Sequence, residues 1–327
     1  MTSQSHTAPP GDLEHAECPL CRDAATRGRH RRTDRYGDDD RAWAVVQCTH
    51  CGLMYVDPRP TPEAIGRYYP DTYSFHEAEP DEGPVPLPER LETAYRHHLL
   101  RLEARQMRRL TGRTEGRALD VGCAAGDRLA ILKRMGYEPA GVETSPEAKR
   151  ARRLGFDVWH GTVETSHFEP ASFEIVMLYN VLEHVHDPNV VVSRLHELLA
   201  PGGHLLVQVP NRPSVQARVF GARRAAMDVP RDLYYYDRDT LHRLVKPHGF
   251  ELHGFTTHTS YLHPPTLVLS CFPGLDPRLI WAERTSGRLS LVKRGLWGMA
   301  TLGLAPLAWA EGLTGLGASM TAVWRKA

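Results

Sequence analysis

The sequence predicts an α/β protein: a doubly wound, mostly parallel seven-stranded sheet, with a small N-terminal zinc ribbon and a helical insertion before the last strand. Three observations predict it. Short apolar runs ending in an acid or a glycine turn alternate with amphipathic stretches, two Cys-x-x-Cys pairs stand near the N-terminus, and a charge-free stretch separates the last two strand-like runs.

The first strand is the most informative. Ala118 to Gly126 reads A-L-D-V-G-C-A-A-G, a strand, a tight turn and the start of a helix that continues over Arg128 to Met135. Such a turn aims backbone N–H groups at a ligand's polar end, and glycine lets the ligand approach the backbone. The third glycine of the dinucleotide fingerprint is missing, and no Lys-Ser or Lys-Thr follows to make a phosphate-cradling loop. Ala140 to Glu143 reads as a second strand, its acid about 20 residues after Asp120, where a carboxylate can accept both ribose hydroxyls of a nucleoside. Phe156 to His160 is a third strand, with Gly161, Thr162 and Val163 in its turn. Phe173 to Tyr179 is a buried fourth, followed by N-V-L-E-H-V-H-D-P and a helix over Pro188 to Leu199. Pro201-Gly202-Gly203 leads into a fifth, His204 to Val209. The sixth reads as Phe250 to His258 and the seventh as Ala318 to Trp324.

The turn at Gly122, the two strand-end acids and the L-x-P-G-G tie resemble the motifs of class I S-adenosylmethionine-dependent methyltransferases of the methyltransferase-23 type, with Ala124 at the middle glycine. The resemblance covers roughly Gly116 to Tyr261 and implies a Rossmann-like fold, S-adenosylmethionine as cofactor and methyl transfer (EC 2.1.1.-). It implies that Asp120 orients the cofactor's amino-acid end, directly or through water, while Gly122, Cys123 and Gly126 line the loop. Glu143 would hold the ribose, Thr162 and Val163 would sit at adenine, and Asn180 near the methionine moiety.

The acceptor side is less defined. Glu183-His184 follows the fourth strand, and the same Leu-Glu-His-Val string occurs in ubiquinone-pathway O-methyltransferases, where the pair and an earlier acid are associated with a divalent metal. That earlier position is Asn180 here, so His184 is read as a candidate base or, alternatively, as a residue orienting its loop. His186 and Asp187 read as structural. Relatives read Pro-Arg-His-Leu where this chain has Pro230-Arg231-Asp232-Leu233, so Asp232 would replace a base or substrate ligand. Arg231 suits a bidentate phosphate or carboxylate contact, with a surface salt bridge as the alternative.

Cys18, Cys21, Cys48 and Cys51 form two knuckles able to close a tetrahedral thiolate site around a structural Zn2+, which would supply about 10–16 kcal/mol of folding free energy. No secretory signal favours disulfides instead. The charged stretch Arg27 to Arg41 between the knuckles reads as a loop. Cys123 is a small residue beside the cofactor, and Cys271 reads as plain packing.

The expected organisation is a disordered tail (1–14), the ribbon (15–60), linker and lid helices (61–115) and the methyltransferase domain (116–327), with the insertion over about 262–316. Pro80 to Pro88 reads as linker, and the helix Glu89 to Leu110 aligns Leu91, Tyr95, Leu99, Leu102, Gln106 and Leu110 on one face. In the insertion, Gly295 to Ala310 carries no charge, follows Arg284, Arg288, Lys293 and Arg294, and is interrupted by Pro306. It is too short to span a bilayer; it suits peripheral contact with the inner face of a membrane through 284–316, a helical pair, a lid or a dimer interface.

The ribbon and prolines before this core resemble a bacterial family associated with sugar and glycan modification. The leading expectation is therefore a cytoplasmic enzyme that methylates a small-molecule acceptor: a sugar, nucleotide-sugar or lipid-linked glycan intermediate. Sugar C-methyltransferases of this zinc-bearing type carry a further C-terminal domain that this sequence does not show, so O- or N-transfer is expected. An RNA methyltransferase is the second reading; a net charge of +1 and no aromatic–basic platform weigh against it. A non-catalytic cofactor-binding scaffold is the third, disfavoured by the presence of both Asp120 and Glu143.

Overall fold

The structure, a computed structural model, describes residues 11–37, 41–69, 87–258, 263–282 and 288–327. The expected linker at 80–88 and most of the expected tail lie largely outside these.

The N-terminal part supplies β1 (Leu13–Glu14), β2 (Thr26–Thr33), β3 (Ala42–Cys48), β4 (Met54–Val56) and β5 (Arg59–Pro60). Helix α1 (Leu87–Thr111) leads to β6 (Gly116–Val121), α2 (Asp127–Arg134), β7 (Tyr137–Glu143), α3 (Ala148–Arg153) and β8 (Asp157–His160). Then come β9 (Phe173–Tyr179), α4 (Pro188–Leu198), β10 (Leu199–Pro210), α5 (Val215–Phe220), β11 (Tyr234–Tyr235), α6 (Arg238–Val245) and β12 (Phe250–Thr256). Helices α7 (His263–Cys271), α8 (Pro277–Ala282) and α9 (Arg288–Leu313) precede β13 (Ser319–Lys326).

The seven-stranded sheet has the order β12-β13-β10-β9-β6-β7-β8. Strands β6 to β10 pair in parallel, and β13 inserts antiparallel between β10 and β12. The order reverses at β6, where β7 lies on one side and β9 on the other. In open α/β sheets ligands bind at that switch point, outside the strands' C-terminal ends. Because β12 ends and β13 begins at the same rim (Thr256↔Thr321, Pro210↔Ser319), helices α7 to α9 leave the sheet on that side.

A second, four-stranded sheet runs β11-β4-β3-β2. Its edge strand β11 comes from the loop after α5, with Tyr234 opposite Tyr55 and Tyr235 opposite Met54. The ribbon therefore shares hydrogen bonds and core with the large sheet: Cys18, Leu53 and Tyr55 are buried in one apolar cluster with Leu182, Leu233 and Tyr236.

Four local expectations are corrected. The stretch after Arg27 is strand β2 through Thr33, because pairing with the apolar β3 satisfies its backbone while Arg27, Arg29 and Arg31 remain exposed at the sheet's edge. The buried face of α1 is centred on Leu100, Glu103, Ala104 and Met107; of the expected face Leu99 is buried, Leu102, Gln106 and Leu110 are half-buried and Tyr95 is exposed, and the helix turns to bury Glu103 against Arg128. Helix α9 runs through Pro306. The carbonyl that loses its N–H partner belongs to Leu302, on the helix's exposed side, where water can replace it. Cys271 is exposed. Val292, Leu296, Met299 and Leu302 form an exposed apolar stripe on α9, and no described helix is long and apolar enough to cross a membrane.

The shared core predicts that Leu53→Ala lowers stability by about 2–5 kcal/mol. Denaturant unfolding followed by circular dichroism and tryptophan fluorescence should give one coincident transition, and two separate transitions would contradict a shared core.

Candidate active site

The turn between β6 and α2 has the backbone that the glycine pattern demands. Gly122 and Gly126 have φ of +80° and +87°, and Ala124 also lies in the left-handed region at +47°. A Cβ on Gly122 would stand 2.5 Å from Val181 Cγ2, so glycine is needed for space as well as for φ. The amides of Gly122 and Cys123 donate to the carbonyl of Val142, fixing the turn against β7.

Glu143, at the end of β7, closes the pocket. One carboxylate oxygen accepts from the Ala124 amide at 2.8 Å and the other from the Ser145 amide at 2.7 Å. Each oxygen carries a second acceptor position, so this half-buried carboxylate can still receive two hydroxyls. Thr162 is exposed in the turn after β8, whereas the Val163 side chain belongs to the core, leaving its backbone for a ligand. Cys123 likewise points inward, packing with Leu129, Ala148 and Val158. Asn180 sits at the end of β9 with φ +56°, its amide donating to the Gln208 carbonyl.

Asp120 is fully buried beneath the turn and meets Arg128 at 3.2 Å, which also meets the buried Glu103 at 3.1 Å. The Arg128 guanidinium stacks 4.0 Å from the Tyr179 ring centre. Burial pushes Asp120 up to about 6 despite the guanidinium beside it, and raises Glu103 as well. Two carboxylates share one guanidinium, and burial favours holding a proton on one of them. Sequence reading found Asp120 but neither Arg128 nor Glu103, since an arginine at a helix start and an acid on a surface-type helix carry no signal.

The acceptor rim gathers Glu183, His184 and Asp232, one ligand atom from each lying within 4.8 Å of the others. His184 Nδ1 is 2.9 Å from the Arg231 carbonyl and 3.5 Å from Asp232 Oδ1. A carbonyl only accepts, so Nδ1 carries the proton and Nε2 is the basic atom in the neutral ring. Burial opposes protonation of His184, but Glu183 and Asp232 outweigh it and hold the imidazole above its ordinary range. Burial raises both acids in turn, Glu183 to about 8 and Asp232 to about 6. Tyr69 stands edge-on to the His184 ring at 6.4 Å. His186 bonds the Pro60 carbonyl and Asp187 caps α4, so both serve structure.

Arg231 is neither a surface ion pair nor a substrate clamp. Its guanidinium is fully buried, paired in bidentate fashion with Asp34 from the β2–β3 connection and with Asp228, and it also donates to the Tyr68 carbonyl. Every donor nitrogen is engaged, so no phosphate can displace these partners cheaply.

The four N-terminal cysteines converge as well. Cys18 and Cys51 Sγ lie 3.3 Å apart, Cys21 and Cys48 Sγ 3.5 Å apart, and all four sulfurs fall within 4.8 Å of one another. A tetrahedral zinc with bonds of about 2.3 Å sets its sulfurs about 3.8 Å apart, so the donor set fits. The Cys51 amide points at Cys48 Sγ, and Gly52, at φ +80°, completes the knuckle.

A family model described as a methyltransferase domain matches residues 89–253, half of the chain, and the chain belongs to that family. A ubiquinone biosynthesis O-methyltransferase of Xanthomonas euvesicatoria pv. vesicatoria is 32% identical over 130 residues, covering 37% of this chain and 54% of the relative. The chain thus spans about half the length of the curated relatives it matches. Among solved structures, an S-adenosylmethionine-dependent methyltransferase of Thermotoga maritima is 20% identical, covers 73% of this chain and 98% of its own, and has a TM-score of 0.44. Phosphoethanolamine N-methyltransferase 2 of Haemonchus contortus is 16% identical, covers 67% and 51%, and has a TM-score of 0.46.

The buried bridge predicts that Arg231→Ala costs roughly 3–5 kcal/mol, because it strands Asp34 and Asp228 without their counter-ion. A loss below about 1 kcal/mol in urea titration would show that the bridge is dispensable.

Proposed function

We propose that the protein transfers a methyl group from S-adenosylmethionine to a nucleophilic oxygen or nitrogen of a small molecule, a sugar, nucleotide-sugar or lipid-linked glycan being the favoured acceptor. The observation that carries the reading is Glu143, held by two backbone amides beside a left-handed glycine turn at the sheet's switch point, with acceptor positions left for a ribose diol. When bound, S-adenosylmethionine supplies a methyl already activated on a sulfonium.

The chain's residues then bind, orient and deprotonate. Glu143 receives the ribose hydroxyls, the turn at Gly122 to Gly126 lies against the amino-acid end, and the backbone around Thr162 and Val163 lines the adenine. Asp120 acts through Arg128, which it holds beneath the turn. Alignment of donor and acceptor can contribute roughly 7–11 kcal/mol, so the remaining task is a proton. His184 Nε2 removes it from the acceptor, oriented by the Arg231 carbonyl and Asp232. The four thiolates would bind Zn2+ as a closed structural site, with no open position for chemistry.

Incubation with deuterated-methyl S-adenosylmethionine and a fractionated small-molecule extract should label a hydroxyl- or amine-bearing metabolite. Failure to label any fraction, in protein that binds the donor, would contradict the catalytic reading. The base must be neutral and its affinity for protons is raised by its acids, so turnover should rise with pH above the ordinary imidazole range. Asp232→Asn removes part of that raising influence, and the rising limb should move to lower pH; an unmoved limb would exclude His184 as the titrating base.

A further inference from the structure

Apart from the donor pocket and the His184 group, the surface carries an open cleft of about 560 Å³ lined by Arg31, Arg32, Arg35 and Arg223, with Ala222 and Pro273. Three separate stretches converge on it: the end of β2 with its following turn, the turn at 221–223 after α5, and the turn after α7. Arg32 ties two of the walls together, its NH1 donating to the carbonyls of Ala222 and Arg224, each at 2.6 Å. Asp276 meets Arg35 at 3.6 Å, while among the described residues Arg31 and Arg223 form no ion pair. The Arg35 NH2 group is buried and has no hydrogen-bond partner. Burial, with the neighbouring Arg35 charge, brings Arg32 down to about 10.

Arg31 and Arg223, exposed on two walls of the cleft and without an ion pair among the described residues, leave guanidiniums able to bind phosphate oxygens in bidentate fashion. One phosphate cannot engage arginines on two separate walls of a cleft this size, whereas two linked phosphates can. Among the described residues no aromatic side chain lines the cleft, so they supply no stacking platform for a single-stranded nucleic acid. We propose that the cleft binds a diphosphate group. The inference is independent of the methyl-transfer reading; where the diphosphate belongs to the acceptor, it specifies that acceptor's class.

Calorimetric titration of the full chain with pyrophosphate tests it. We expect saturable binding that weakens with salt, falls at least about tenfold in the Arg31→Ala/Arg223→Ala double variant, and is unchanged in Arg134→Ala, an exposed arginine on α2. No heat with pyrophosphate, or equal affinity in the double variant, overturns the proposal. Tighter binding of a single-stranded RNA than of pyrophosphate, lost in the same variant, overturns it in favour of a nucleic-acid surface. S-adenosylhomocysteine is titrated alongside: its failure with pyrophosphate binding intact strikes only the methyl-transfer reading. Uridine diphosphate-sugars and an isoprenyl diphosphate, each with labelled donor, identify the source. Label transfer marks the acceptor and binding without transfer a separate ligand, and either result supports the site.

Discussion

The buried Arg231 guanidinium is the constraint on which the acceptor side depends. It holds Asp34 of the N-terminal sheet and Asp228 of the loop before β11, while its own carbonyl receives His184 Nδ1–H. The rim therefore takes shape only when the N-terminal sheet is docked. That would give the cysteine knuckles a role beyond local folding: a metal bound there, by organising β3 and β4, would also fix the edge on which β11 pairs and so the placing of Asp232 against His184.

The donor side rests on a different principle. There the backbone does the positioning, through left-handed residues at Gly122, Ala124 and Gly126 and two amides on Glu143. Beneath it a fully buried charge group, Asp120, Arg128 and Glu103, ties α1, β6 and α2 together. Such a group contributes little net stability but costs several kcal/mol when one member is removed, so it specifies geometry more than it stabilises.

Much of this was legible in the sequence, for physical reasons. Buried parallel strands read as apolar runs, and their ends are punctuated by Asp120, Glu143 and the glycine turns, so the sheet and the donor turn follow from local pattern. The cysteine spacing announced the knuckles in the same way. What was not legible is what depends on long-range partners. Arg231 was visible as unusual, but its partner Asp34 lies far away in the chain and carries no motif. The strand character of Arg27 to Thr33 was masked by its charge, because edge strands need apolar residues on neither face. Likewise the rotation of α1 follows from burying Glu103, which only the position of Arg128 explains.

The central claim is that the Glu143 carboxylate and the Gly122 turn hold the nucleoside of a sulfonium methyl donor. Calorimetric titration of S-adenosylhomocysteine into the native chain and into Glu143→Ala tests it most directly. The account predicts saturable binding to the native chain and a loss of at least about tenfold in the variant, from two charge-assisted hydrogen bonds removed. Equal affinities, or no binding to the native chain, would contradict it.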